Sequence, residues 1–138
     1  MVPAMSAELN WVEFQSAFRE AALEKGFSPT LLHELDAGGL VAWERPGDGP
    51  RIYLSAGIHG DEPAGPLALL ELLRDGFFNL SAHWLLCPAL NPSGLAAGTR
   101  ENAVGTDLNR DYWLRGTPEV AAHTRWLNAR QTPDLFIS

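Results

Sequence analysis

The chain has 138 residues, 46% apolar and 20% charged: enough apolar side chain to bury one core, and too little length for more than one ordinary domain. A net charge of −7 with no run of Lys or Arg excludes nucleic acid as a partner, because its phosphates would be repelled. No stretch approaches the roughly 20 apolar residues that span a bilayer, Met1 to Asn10 lacks the pattern of a signal peptide, and the single cysteine, Cys87, cannot form an internal disulfide. The expectation is a soluble, cytoplasmic α/β chain with no membrane partner.

Asn10 is placed to cap a helix, with Glu13 completing a capping box. Trp11, Phe14, Phe18 and Ala21 then recur at spacings of three and four, one apolar helix face that ends by Gly26. Thr30 to Glu44 reads as a hairpin turning at Gly38-Gly39, and Arg51 to Ile58 as a strand buried on both sides. Pro63 suits the first position of a second helix, which Leu67, Leu69, Leu70, Leu72 and Leu73 make nearly all core-facing until Asp75-Gly76. Trp84 to Leu90 is another buried strand, and Asn91 to Gly116 a loop whose length favours function. Thr117 and Pro118 open a third helix running to about Arg130, and Asp134 to Ser138 is a last strand. This order predicts a three-layer α/β/α fold on a largely parallel, mixed sheet, with the motifs at strand ends.

Two motifs carry the chemistry. His59 and Glu62 are three residues apart, past a strand and before a helix. Pro63 disfavours helical geometry at Glu62, so the pair is expected on a tight turn, with Gly60 letting the backbone bend. Imidazole and carboxylate are zinc ligands, although a His-x-x-Glu pair by itself is more often a helix-start hydrogen bond. Further on, Asn91-Pro92-Ser93-Gly94, Gly98 to Asn102 and Gly105 to Asp111 follow one another in one glycine-rich loop. There Asp107, Asn109 and Arg110 set a carboxylate, an amide and a guanidinium almost side by side, and arginine is the preferred bidentate partner of a carboxylate.

Ser55 to Gly65 and the three loop blocks together resemble the zinc metallocarboxypeptidase superfamily, including its aspartoacylase and succinylglutamate desuccinylase branch. The resemblance covers roughly residues 51 to 138; Asp61 stands where that branch often has asparagine. It implies a Zn2+ cofactor held by His59 and Glu62, with Asp107 fixing the tautomer of His59. It further implies that Arg100 stabilises the oxyanion, and that Asn109 and Arg110 hold the substrate's carboxylate. The implied activity is hydrolysis of an amide bond next to a free carboxylate, in a peptide C-terminus, an acyl amino acid or a cell-wall peptide.

Two family parts have no match: a third ligand, a histidine normally placed just after the strand that here is Asp134 to Ser138, and a general-base glutamate much further on. Glu101 matches no family base. Residues 1–138 therefore read as the N-terminal portion of one catalytic domain, incomplete at the C-terminal side. Further sequence or a partner, a homo-oligomer included, is expected to cover the open sheet. The rival reading is a non-catalytic carboxylate-binding module, or an inactive fragment, lacking that ligand and base. His123, in line with Val120 and Leu127, is expected on a packed helix face with one hydrogen bond, its alternative being a substitute third ligand. His33 and His83 read as ordinary strand or loop residues, Cys87 as core, and Tyr112 and Trp113 as packing or pocket wall.

Overall fold

The computed structural model describes residues 9–138. The Asn10 side chain accepts the Glu13 N–H at 3.1 Å and starts helix α1, Trp11–Glu24, which buries Trp11, Phe14, Phe18, Ala21 and Ala22. Strands β1 (Ser28–Leu35) and β2 (Gly38–Arg45) form the expected antiparallel hairpin, but the turn is the two residues Asp36-Ala37, while Gly38 and Gly39 already pair with Leu35 and Glu34 at the start of β2. β3 (Arg51–Ser55) and β4 (His83–Cys87) pair in parallel, and β5 (Leu135–Ile137) adds in parallel to the other side of β3. The sheet order is β1-β2-β4-β3-β5, a parallel centre with an antiparallel hairpin at one edge.

Alternation along the strands builds three layers. Trp43, Leu54, Trp84 and Leu86 point to one face, against α1 and helix α2 (Ala64–Arg74). Tyr53, Leu85 and Cys87 point to the other, against Trp126 of helix α4 (Pro118–Asn128). Thr117 caps α4 through the Val120 N–H, as its sequence predicts. Among the described residues no helix is long and apolar enough to cross a membrane. β5 is an edge strand there, with Leu135, Phe136 and Ile137 each about half exposed.

Several boundaries differ from the sequence reading, for local reasons. β3 stops at Ser55 because Gly57 takes a φ of +73°, which turns the chain out of the strand. The backbone of Ala56 and Gly57 still bonds to Cys87, Leu90 and Asn91. β4 ends before Pro88, which has no N–H to give a ladder. Pro63 is the N-cap of α2 rather than its first residue, and Pro66, Leu69, Leu70 and Leu73 are its buried face, with Leu67 and Leu72 only partly covered. The long loop is also more ordered than its composition predicts. It holds a short helix α3, Pro92–Ala97, capped by Asn91, and one 3-10 turn, Leu108–Arg110, capped by Asp107.

Candidate metal and carboxylate site

The strand β3 delivers the first motif to its carboxyl end. The Glu62 N–H bonds back to the His59 carbonyl at 3.2 Å, closing the expected turn. Gly60 serves a different purpose from the one its sequence context predicts. Its φ is not among the positive ones; instead, a Cβ there would collide with the Gly94 carbonyl and the Thr99 oxygen. The turn thus lies flat against the start of the substrate loop.

His59 is buried, at 8% exposure, and meets a carboxylate at each edge of its ring. Nε2 is 2.9 Å from Asp107 Oδ1, and Nδ1 is 3.1 Å from Glu62 Oε2. A neutral imidazole has only one N–H. With that proton on Nε2 for Asp107, the lone pair of Nδ1 points at the Glu62 oxygen. In that arrangement a positive centre between the two, a metal ion or a second ring proton, satisfies both groups, and nitrogen plus carboxylate oxygen suits zinc. The pair therefore fits the metal that the sequence implies. Among the described residues, however, no group of three or more His, Cys, Asp or Glu side chains could hold a metal ion.

Asp107 is held ionised well below the usual carboxylate range, chiefly by the His59 hydrogen bond, with the Asn109 N–H and Arg100 adding against some desolvation. Arg100 Nε lies 3.5 Å from Asp107 Oδ2, its side chain 45% exposed. His59, Glu62, Asp107 and Arg100 thus form one run of contacts. Asn109 joins His59 and Glu62 on the wall of a cleft of about 410 Å³, with Ser138 also at its edge. Arg110 is exposed and is not on that wall, and among the described residues its side chain has no hydrogen bond or ion pair.

The sequence reading gave no role to Asn91, which the fold makes central. It is fully buried, takes the Gly94 N–H at 3.0 Å, and donates to the carbonyls of Ile58 (3.2 Å) and Arg100 (3.3 Å). It thereby ties the residue before His59 to Arg100. The available signal was an asparagine directly before the proline of a helix start.

His123 departs from its expectation by making two hydrogen bonds. Nδ1 meets the Tyr112 hydroxyl at 2.9 Å and Nε2 meets the Tyr53 hydroxyl. With both nitrogens engaged inside the core, it is not available as a third ligand. His83 is likewise more than an ordinary strand residue: Arg51 donates to its Nδ1 and its Nε2 donates to Glu44, which also accepts from Arg130.

Burial pushes the His123 pKa down from 6.5 to about 4. The neutral ring is favoured in the fold, while the unfolded chain takes up a proton below 6.5. The resulting stability is present above that value and is lost as pH falls through about 4, roughly 3 kcal/mol in all. Urea midpoints measured from pH 7.5 to 4 should fall in this window, and His123→Gln should flatten the slope. An unchanged slope in the variant would place the titration elsewhere.

Solved structures define the class of fold. A metallo-carboxypeptidase from Burkholderia cenocepacia superposes with a TM-score of 0.76 at 22% identity, over 90% of this chain and 39% of that one. One from Pseudomonas aeruginosa, in complex with (2-guanidinoethylmercapto)succinic acid, gives 0.64 at 24% identity, over 90% and 38%. The fold is that of the metallocarboxypeptidases. Within it, the chain belongs to the succinylglutamate desuccinylase/aspartoacylase catalytic domain family, whose model matches residues 48–135. Murein peptide amidase A of Escherichia coli K12 is 36% identical over 83 residues, 59% of this chain and 34% of that protein. The chain spans about a third of the length of that relative.

Proposed function

We propose that this chain works as the N-terminal portion of a zinc-dependent hydrolase that cleaves an amide bond beside a free carboxylate. The observation that carries this is His59, set between Glu62 and Asp107 at the end of β3, with Asn109 on the same cleft wall. His59 Nδ1 and Glu62 would hold the zinc, and Asp107 keeps the His59 proton on Nε2. When bound, zinc supplies Lewis acidity toward the carbonyl and lowers the pKa of water toward ~7.

The remaining steps belong to this chain's own side chains. Arg100, tethered to Asp107 yet 45% exposed, is placed to meet negative charge growing on the carbonyl oxygen. Asn109 and Arg110 would anchor the substrate carboxylate, Arg110 by swinging from its exposed position toward the cleft. The third ligand and the general base would come from outside the described residues. The family membership and the amidase relative support hydrolysis over a binding module, and the murein relative favours peptides of the cell wall.

Arg110→Ala tests the anchoring role in an active, family-length protein. KM for a carboxylate substrate should rise at least tenfold more than for the amide analogue, the scale of one lost charge-assisted pair of about 1.5–3 kcal/mol. Equal changes for both substrates would sink the anchoring role.

A further inference from the structure

We propose that Asn102 and Glu119 are positioning residues of the candidate site: through a buried amide–carboxylate pair, the first turn of α4 sets where Asp107 stands against His59. The proposal rests on the reading of His59, Glu62 and Asp107 as a metal half-site.

Asn102 is 7% exposed and Glu119 3%, and Asn102 Nδ2 donates to Glu119 Oε2 at 2.8 Å. The rest of Asn102 organises the turn that leads into Asp107. Its side-chain oxygen takes the N–H groups of Val104 (3.2 Å) and Thr106 (2.9 Å). Its own N–H goes to the Thr106 carbonyl at 2.9 Å, and its carbonyl takes the Gly105 N–H at 3.0 Å. One side chain therefore closes residues 102–106, and the next residue is Asp107.

The other end of the segment returns to the same turn of α4. Asp111 accepts the Thr117 N–H at 2.8 Å and the Thr117 hydroxyl at 2.7 Å, and it also takes the Gly116 N–H. Residues 102–111 are thus fastened at both ends to the start of α4, and from the middle of the segment Asp107 and Asn109 reach the site. Burying a carboxylate for packing alone is unfavourable; an apolar residue of similar volume would serve that purpose at least as well. Glu119 instead holds an amide whose oxygen and whose own backbone groups are committed to the turn, and the helix N-terminus favours a negative charge there.

The readout is the tautomer of His59 by ¹⁵N-histidine NMR of the whole chain at pH 8, assigned with His59→Gln and paired with titration of zinc alone. In the native chain His59 should hold a single Nε2–H tautomer. In Glu119→Leu, folded by circular dichroism, His59 should become a mixture of tautomers, and zinc affinity should fall roughly 10–100-fold, as for lost outer-shell partners. Glu119→Gln keeps an acceptor for Asn102 and should restore both. A native His59 spectrum in Glu119→Leu, or equal damage from Leu and Gln, overturns the proposal. Asn102→Ala carries the same expectation where Glu119→Leu does not fold; unfolding of both would mark the pair as structural only and also overturn it. A native chain that binds no zinc defeats the metal reading, while the tautomer still decides the positioning role.

Discussion

Gly60→Ala is expected to destabilise the fold by on the order of 3 kcal/mol, at the upper end of overpacking effects, and to lower the urea midpoint without changing its slope. The added methyl would meet backbone, the Gly94 carbonyl and the Thr99 oxygen, rather than a side chain that could swing away. Neither atom can retreat cheaply. The Gly94 N–H is held by Asn91, whose amide also grips the carbonyls of Ile58 and Arg100, and the Thr99 N–H is bonded to the Gly94 carbonyl. Moving any one of them loosens the others. The same substitution at Gly98, where a Cβ would meet nothing within 4 Å, is the control for the glycine effect itself; its φ of +72° still makes it mildly costly. A Gly60→Ala chain with native stability would mean that the metal turn and α3 are not in contact.

The second large effect concerns zinc. His59→Ala should weaken zinc binding roughly 10²–10³-fold, because the ~10–16 kcal/mol of a structural zinc site is shared among about four ligands. Asp107→Asn should cost less, about 10–100-fold, since it disturbs the tautomer rather than a ligand. Equilibrium titration against a competing chelator, with stoichiometry read by elemental analysis, separates the two. His123→Gln should leave zinc affinity unchanged, since both its ring nitrogens are taken by Tyr53 and Tyr112. Equal affinity in the native chain and His59→Ala would remove His59 from the metal site. Tight binding in the native chain, lost in His59→Ala, would require a third donor other than His123.

What could be read in the linear chain shares one property: it depends on neighbours a few residues away. The Asn10 and Thr117 caps and the three-and-four spacing of Trp11, Phe14 and Phe18 are local, and the structure has them; the hairpin is there too, but it turns at Asp36-Ala37 and not at the glycines. The strand ends were less legible, because a left-handed glycine at 57 and a missing N–H at Pro88 leave the apolar pattern unbroken while they end the ladder. The turn at His59 to Glu62 was legible in outline, since Pro63 constrains it from one side. Helix α3 was hidden among glycines and prolines that read as loop.

The sequence by itself determined the layer order, the residue types of the half-site and the spacing of the turn that carries it, because helix periods, caps and prolines act on adjacent backbone. Only the tertiary structure decided which partners those residues have. His59 meets Asp107 across 48 residues, Asn91 reaches Ile58 across 33, and Asn102 finds Glu119 across 17. Pairings at such distances are chosen by which strand ends and helix starts the sheet brings together. A buried amide or carboxylate can be satisfied by any donor or acceptor the fold supplies, so its partner is a property of the packing, where Gly60 finds its neighbour in the Gly94 carbonyl.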